Sequence, residues 1–131
     1  MTRPAAAIAE VKEVIRLSQA KVMAKDIAYL DTYHPDCTYV DSKYPVMLRL
    51  PELRAGSIAI FDIIDTYDIR MDSYLDEFAE GDIVMVAYVF TATVVFKDGK
   101  RSVDQYRVTL IAQREHGKWM IRHLNENIYA P

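Results

Sequence analysis

The chain has little cysteine and no excess of basic charge, and each shortage excludes a class of protein. Cys37 is the single cysteine among 131 residues, so no disulfide can form within the chain, which favours a reducing compartment such as the cytoplasm. The net charge of -3 provides no basic footprint for nucleic acid and no polybasic segment for an anionic membrane. The longest apolar stretch, residues 83–96, is shorter than the ~20 residues that cross a bilayer.

What the chain does contain suits one compact domain. Apolar residues make up 51% of the sequence and charged residues 27%, enough to bury a core and too apolar for a disordered chain. No repeat, low-complexity tract or Gly/Ser linker interrupts the sequence. We therefore predict a single domain over residues 1–131.

The first half of the chain is predominantly helical by its apolar spacing. Apolar residues recur every three or four positions over residues 5–23, which predicts a first helix. A second, short helix is predicted over residues 25–33, and a short strand over residues 37–41. After a proline-containing loop, Ser57 is the expected N-cap of a third helix.

The second half of the chain has the alternation typical of β-strands. From Thr66 onward the apolar period is two, and strands are predicted over residues 83–96, 102–113 and 118–129. Gly-containing turns separate them. Helices followed by an antiparallel meander define the α+β class, so we predict a curved antiparallel sheet wrapped around the N-terminal helices and enclosing an apolar pocket.

Turn length predicts which side chains of the last two strands face the helices. A three-residue loop at 115–117 pairs Leu110 with Arg122 and Tyr106 with Glu126. The inward set is then mostly apolar and is as follows: Asp104, Tyr106, Val108, Leu110, Ala112, Met120, Arg122, Leu124 and Glu126. The charged exceptions on the last strand are open to three interpretations: an inward ion pair of Arg122 with Glu126 or Asp104, an Arg122 near the open end of the sheet, or a cationic Arg122 aimed into a ligand pocket.

A second turn predicts an apolar outer face. If Asp98-Gly99 is a two-residue turn, Val84, Val86, Tyr88 and Phe90 face away from the helices. Such an apolar face needs cover, and a homodimer through the sheet would provide it.

Three stretches carry a resemblance to a known superfamily: AKDIAYLDTYHPDCTYVD, RAGSIAIFD and REHGKWMIRHLNEN. Together they resemble the nuclear transport factor 2-like superfamily, which includes ketosteroid isomerase, the SnoaL-like polyketide cyclases and the association domain of calcium/calmodulin-dependent protein kinase. The resemblance covers nearly the whole chain and implies a cone-shaped fold with a pocket in its mouth. It places Asp41 where ketosteroid isomerase carries its general base. It places Leu17, and Val108 or Leu110, where that enzyme carries its oxyanion hole, so that oxyanion hole is not reproduced.

These observations predict a small-molecule enzyme that uses acid/base chemistry next to a carbonyl, without cofactor or metal. The reaction would be an isomerisation, a dehydration of the lyase type or a cyclisation of a small apolar or carbonyl-containing ligand. Asp41 is predicted to move the proton, Arg122 to stabilise the oxyanion, and Asp104 to act as a second acid or base. The residues predicted to line the binding site are Tyr39, Tyr106, Leu110, Met120, Leu124 and Glu126.

Alternatives remain open at each of these positions. Asp41 is also a common residue in a turn after a strand, and Tyr39 could equally serve packing. Asp104 could simply lie at the rim, and Tyr106 could simply satisfy the Glu126 carboxylate. The three histidines have no metal-ligand spacing. At the level of the whole protein, the alternatives are a non-catalytic domain that binds a small ligand and a dimeric assembly domain.

Overall fold

The computed structural model describes residues 3–129; the ends of the predicted domain, residues 1–2 and 130–131, lie outside the described residues. The elements along the chain are helix α1 (Arg3–Met23), a 3₁₀ helix (Ile27–Thr32), strand β1 (Tyr33–Asp41), helix α2 (Leu50–Ile63), and strands β2 (Ile64–Glu80), β3 (Ile83–Phe96), β4 (Arg101–Glu115) and β5 (Lys118–Ile128).

The strands form one curved, unclosed sheet in the order β1-β5-β4-β3-β2. Strands β2 to β5 make the predicted antiparallel meander. Strand β1, however, joins the far edge parallel to β5, so the sheet is mixed and not wholly antiparallel as predicted. The helices lie on the concave face, which we call the inner face, and the predicted α+β class is confirmed.

Helix α1 follows from its apolar spacing. Pro4 lies in its first turn, where the missing N–H costs nothing, and Val11, Ile15 and Ser18 are its buried positions. These positions lie four and three residues apart, on one side of the helix. Within residues 3–129 no helix is both long and apolar enough to span a bilayer.

Helix α2 begins earlier than predicted. Pro51 stands in the first turn of a helix that starts at Leu50, because a proline is well tolerated there. Ser57 is therefore an interior position and not an N-cap. Its side chain is buried, and its Oγ lies 2.5 Å from the Tyr29 hydroxyl.

The hairpin between β4 and β5 has a two-residue loop where three residues were predicted. Glu115 pairs directly with Lys118. His116 and Gly117 both have positive φ angles, 53° and 76°, which is the backbone pattern of a type I′ turn. The shorter loop reverses the face assignment of every residue next to the turn.

A register shift then restores the predicted face farther along β5. Trp119 and Ile121 face inward and are buried, whereas the pairing shifts by one residue opposite Ile111 and Ala112. Beyond this bulge Leu124 pairs with Leu110 on the inner face. The inward prediction therefore holds for Leu124, and also for Glu126, beyond the bulge. For Met120 and Arg122 it is wrong.

In the hairpin between β3 and β4 the loop is one residue longer than predicted. The Phe96 N–H donates to the Lys100 carbonyl at 2.8 Å, which leaves a three-residue loop with Gly99 at φ 89°. Two residues were predicted.

The face assignment of β3 is consequently reversed as well. The residues predicted to face outward are all buried in the core with the helices, namely Val84, Val86, Tyr88 and Phe90. The apolar outer face from which a homodimer was inferred is therefore the inner face of the same chain.

Candidate functional site

A cavity of about 240 Å³ lies between the helices and the inner face of the sheet. Both α-helices, the 3₁₀ helix, all five strands and the loop 42–49 contribute to its wall. Eight aromatic side chains form much of this wall: Tyr29, Tyr33, Tyr39, Tyr44, Phe61, Tyr67, Phe90 and Tyr106. Apolar walls with a few polar groups are typical of small-molecule sites.

Two carboxylates meet at this cavity because of the parallel pairing of β1 with β5. Asp41 and Glu126 are register partners in that pair, and both line the cavity. The Tyr39 hydroxyl lies 2.8 Å from Asp41 Oδ2 and 2.5 Å from Glu126 Oε2. The hydroxyl thus bridges a carboxyl pair that is separated by 85 positions along the chain.

The bridge is complete only when the pair holds one proton. A phenol has a single hydrogen to donate, so with both carboxylates ionised one of the two contacts would lack a hydrogen. If Glu126 is protonated, it can donate to Tyr39 while Tyr39 donates to Asp41. Burial and the Asp41 charge raise the pKa of Glu126 to about 7, which agrees with a retained proton.

Asp41 is held in place by the turn that follows it. Its Oδ1 accepts the backbone N–H of Lys43 at 2.8 Å, and its carbonyl accepts the N–H of Tyr44 at 3.0 Å. Asp41 is only 6% exposed. The two interpretations left open for Asp41 are thus compatible, since one carboxylate oxygen shapes the turn and the other contacts Tyr39.

A cation lies beside the carboxyl pair. Lys43 Nζ lies 2.6 Å from the Tyr106 hydroxyl and 5.2 Å from the centre of that ring. Tyr106 stacks on Phe90 with ring centres 5.0 Å apart. Because the ammonium donates into the phenolic oxygen, the Tyr106 hydrogen is free to donate elsewhere.

Sequence reasoning missed Lys43. The available signal was its position two residues after Asp41, in the loop that an Asp at the end of a strand commonly begins. That spacing alone does not show that the lysine reaches back to β4.

Besides Tyr44, which is 50% exposed at the wall, two tyrosine hydroxyls of the cavity wall have no hydrogen-bond partner among residues 3–129. They belong to Tyr33 and Tyr67, whereas the Tyr29 hydroxyl is paired with Ser57. No side-chain polar atom sealed from solvent in the described part of the chain lacks a partner, so these two hydroxyls are accessible. Burial raises the pKa of both phenols, which keeps each one a donor.

The structure brings together five of the residues predicted from sequence. The cavity wall includes Tyr39, Asp41, Tyr106, Leu124 and Glu126. Leu110 and Met120 do not line it: Leu110 is sealed in the core at 1% exposure, and Met120 lies between two inward residues on the opposite face of β5.

The two other predicted catalytic residues also lie outside this cavity wall. Arg122 donates a hydrogen bond to the backbone carbonyl of Asp36. Asp104 accepts a hydrogen bond from the Ser102 hydroxyl at 2.8 Å. Arg122 stands at the β5 bulge, which turns its side chain away from the cavity that the predicted register pointed it toward.

No protein-family profile matches the chain, and no curated protein is detectably similar to it in sequence. Solved structures nevertheless share its fold. A nuclear transport factor 2-like superfamily protein from Salmonella enterica superposes with a TM-score of 0.85 at 12% identity, over 97% of this chain and 94% of the other. A ketosteroid isomerase-like protein from Erwinia carotovora has a TM-score of 0.77 at 16% identity, over 95% and 97%.

A third structure is provisionally named a calcium/calmodulin-dependent protein kinase II association domain, from Xanthomonas campestris. It has a TM-score of 0.71 at 20% identity, over 92% of this chain and 86% of the other. Identities this low show the fold and not the activity. The chain therefore has the nuclear transport factor 2-like fold, as the sequence resemblance predicted.

Proposed function

We propose that the protein is an acid/base enzyme that isomerises, dehydrates or cyclises a small carbonyl compound in this cavity. The observation that carries the proposal is the chain of contacts Asp41–Tyr39–Glu126 at the cavity wall. Two carboxyl groups that share one proton provide an acid and a base at the same pH.

The proposed cycle moves one proton around this chain. Ionised Asp41 takes a proton from the carbon next to the carbonyl, and protonated Glu126 delivers its proton to another carbon or to a leaving hydroxyl. Asp41 then donates to Tyr39 while Tyr39 donates to Glu126, which restores the starting state. A pKa of about 7 suits Glu126 to both directions of transfer near neutral pH.

The developing oxyanion is assigned to Tyr106 and not to Arg122. The Lys43 ammonium donates to the Tyr106 oxygen and polarises the remaining O–H, while burial and the Glu126 charge raise the pKa of this phenol and keep it protonated. A charge-assisted donor beside the carboxyl pair would stabilise an enolate more strongly than it stabilises the neutral carbonyl.

Hydrogen exchange at the α-carbon tests this proposal without knowledge of the natural substrate. Cyclic ketones from cyclohexanone to 1-tetralone are incubated with the protein in D₂O, and loss of the α-proton NMR signal is followed. We expect exchange above the buffer rate, reduced about 10²-fold or more in Asp41→Asn and Glu126→Gln, and reduced in Lys43→Met. Lys100→Met, in an exposed turn, is the matched control and should leave exchange unchanged.

The alternative of binding without turnover has a distinct outcome. If a ketone raises the melting temperature but its α-hydrogens exchange at the buffer rate, the cavity binds without catalysing. Exchange that persists in both carboxyl variants would instead remove the two carboxyl groups from the reaction.

Self-association and a cytoplasmic location also stay predictions. The fold is shared with a protein provisionally named an association domain, which supports assembly, although the apolar face of β3 is now used within the chain. Size-exclusion chromatography with light scattering at micromolar concentration tests the dimer, and a monomer mass would contradict it.

A further inference from the structure

The unpaired hydroxyls of Tyr33 and Tyr67, the two least exposed ones in the cavity wall, restrict the ligand. Tyr33 is 7% exposed, and Tyr67 is half-buried on the facing strand β2. Both line the cavity and neither hydroxyl has a protein partner among the described residues. A buried donor that remains unpaired is costly, so an apolar ligand that displaced solvent from these hydroxyls would bind poorly. A ligand with acceptor oxygens facing them would bind well.

The volume of the cavity restricts the ligand in a second way. An engineered cavity of about 150 Å³ holds one benzene molecule. The cavity here, about 240 Å³, exceeds that by a little more than half. It matches one substituted ring or two fused rings, and it is too small to enclose four.

The aromatic wall restricts the shape. The Phe90 and Tyr106 rings stack at 16° to one another, and the Tyr29 ring meets Phe61 edge-on with centres 6.0 Å apart. Ring faces and edges of this kind pack well against a flat ligand.

We propose that the ligand is a compact, planar compound of one or two rings whose keto or phenolic oxygen accepts a hydrogen bond from Tyr67 or Tyr33 and keeps its second lone pair for the Tyr106 hydroxyl of the proposed reaction. This inference rests on the proposed function for the reaction, since an enolisable ketone is one member of the class. Recognition by the two hydroxyls is independent of catalysis and is tested by binding alone.

Titration calorimetry with three probes tests the class: 1-tetralone, tetralin, which has the same two rings without oxygen, and progesterone, a four-ring ketone. We expect tetralone to bind about three- to tenfold more tightly than tetralin, the range of one or two added hydrogen bonds. Tyr67→Phe should remove most of that difference and leave tetralin unchanged. Progesterone should show no saturable binding.

Tyr74→Phe is the matched control, because Tyr74 lies on the same strand, is 40% exposed and does not line the cavity. It should leave both affinities unchanged. The double variant Tyr33→Phe/Tyr67→Phe should bring the tetralone affinity toward that of tetralin. A folded Tyr67→Phe protein with unchanged tetralone affinity, equal binding of tetralone and tetralin by the native protein, or progesterone binding that tetralone competes away would each overturn the inference.

The same measurements separate this inference from the proposed function. Tetralone that binds through Tyr67 but does not exchange its α-hydrogens would contradict the proposed reaction and leave the ligand class standing. Exchange that depends on Asp41 but is indifferent to Tyr67 and Tyr33 would contradict the ligand class alone.

Discussion

Asp41 and Glu126 face each other across the parallel pair of β1 and β5, and one phenol contacts both of their carboxyl groups. Two carboxylates this close cannot both be ionised cheaply. A proton shared by this pair underlies the proposed chemistry. It should also make the free energy of unfolding depend on pH.

The first prediction concerns the pH dependence of stability. In the folded protein the pKa of Glu126 is about 7, whereas in the unfolded chain it is about 4.3. Between these values the unfolded chain has lost a proton that the folded chain keeps. The free energy of unfolding should therefore fall as pH rises from about 5 to 7, by at most about 1.4 kcal/mol for each pH unit, and level off above that.

Urea unfolding at pH 5, 6, 7 and 8 measures this slope. Glu126→Gln cannot titrate and should lack the fall, so its stability relative to the native protein should improve with rising pH. Glu80→Gln, at the exposed end of β2, is the control and should keep the native slope. Parallel curves for the native and Glu126→Gln proteins would contradict a raised pKa at this position.

The second prediction is a pair of opposite pKa shifts at Glu126. The Tyr39 hydrogen bond lowers the pKa of this carboxyl and the Asp41 charge raises it. Tyr39→Phe should therefore move the pKa of Glu126 above about 7, and Asp41→Asn should move it down toward the ordinary glutamate range. Carboxyl ¹³C NMR titration of labelled glutamate reads both shifts. Shifts of the same sign in the two variants would refute the bridged arrangement.

The third prediction compares two glycines with equally open surroundings. A Cβ added at Gly56 or at Gly117 would meet no atom within 4 Å, so only the backbone differs. Gly56 lies inside α2, where alanine is favoured by about 0.5–1 kcal/mol. Gly117 has φ 76°, and alanine there should cost about 1 kcal/mol.

Thermal unfolding of the two alanine variants checks the difference. Gly56→Ala should melt above the native protein, and Gly117→Ala should melt below it. A stabilised Gly117→Ala protein would show that the β4–β5 loop does not have the type I′ geometry.

The fourth prediction concerns the buried contact between the 3₁₀ helix and α2. The Tyr29 hydroxyl lies 2.5 Å from Ser57 Oγ, and burial raises the pKa of Tyr29 to about 12. Ser57→Ala leaves that hydroxyl without its partner and should cost about 1–2 kcal/mol. A double-mutant cycle with Tyr29→Phe should give a coupling energy near 1 kcal/mol, and a coupling of zero would mean that the two groups do not interact.

Local patterns predicted several of these features correctly. The order of helices and strands follows from a change of apolar period near Thr66, and α1 follows from apolar residues at helical spacing. Asp41 was recognised as a candidate because it ends a strand and because the resemblance to ketosteroid isomerase placed a base there. Glu126 was recognised as a polar residue in an apolar set.

The hairpin loops show why face assignment failed. Asp98-Gly99 and His116-Gly117 are both ordinary turn sequences, and one residue of difference in loop length reverses every side chain that follows. The β5 bulge then reversed part of the strand again. Loop length and bulges are decided by how the whole sheet pairs and packs. A window of a few residues therefore does not predict which face of the sheet the Arg122 side chain occupies.

The sequence by itself determined the class of the fold, the succession of its elements and the presence of a carboxylate at the end of β1, because these depend on composition and on short-range periodicity. Only the tertiary structure decided that β1 runs parallel to β5, that Lys43 contacts Tyr106 and that the Arg122 side chain lies outside the cavity. Those outcomes join residues 63 to 88 positions apart, and pairing over such distances is selected by burial of the whole core and not by any local pattern.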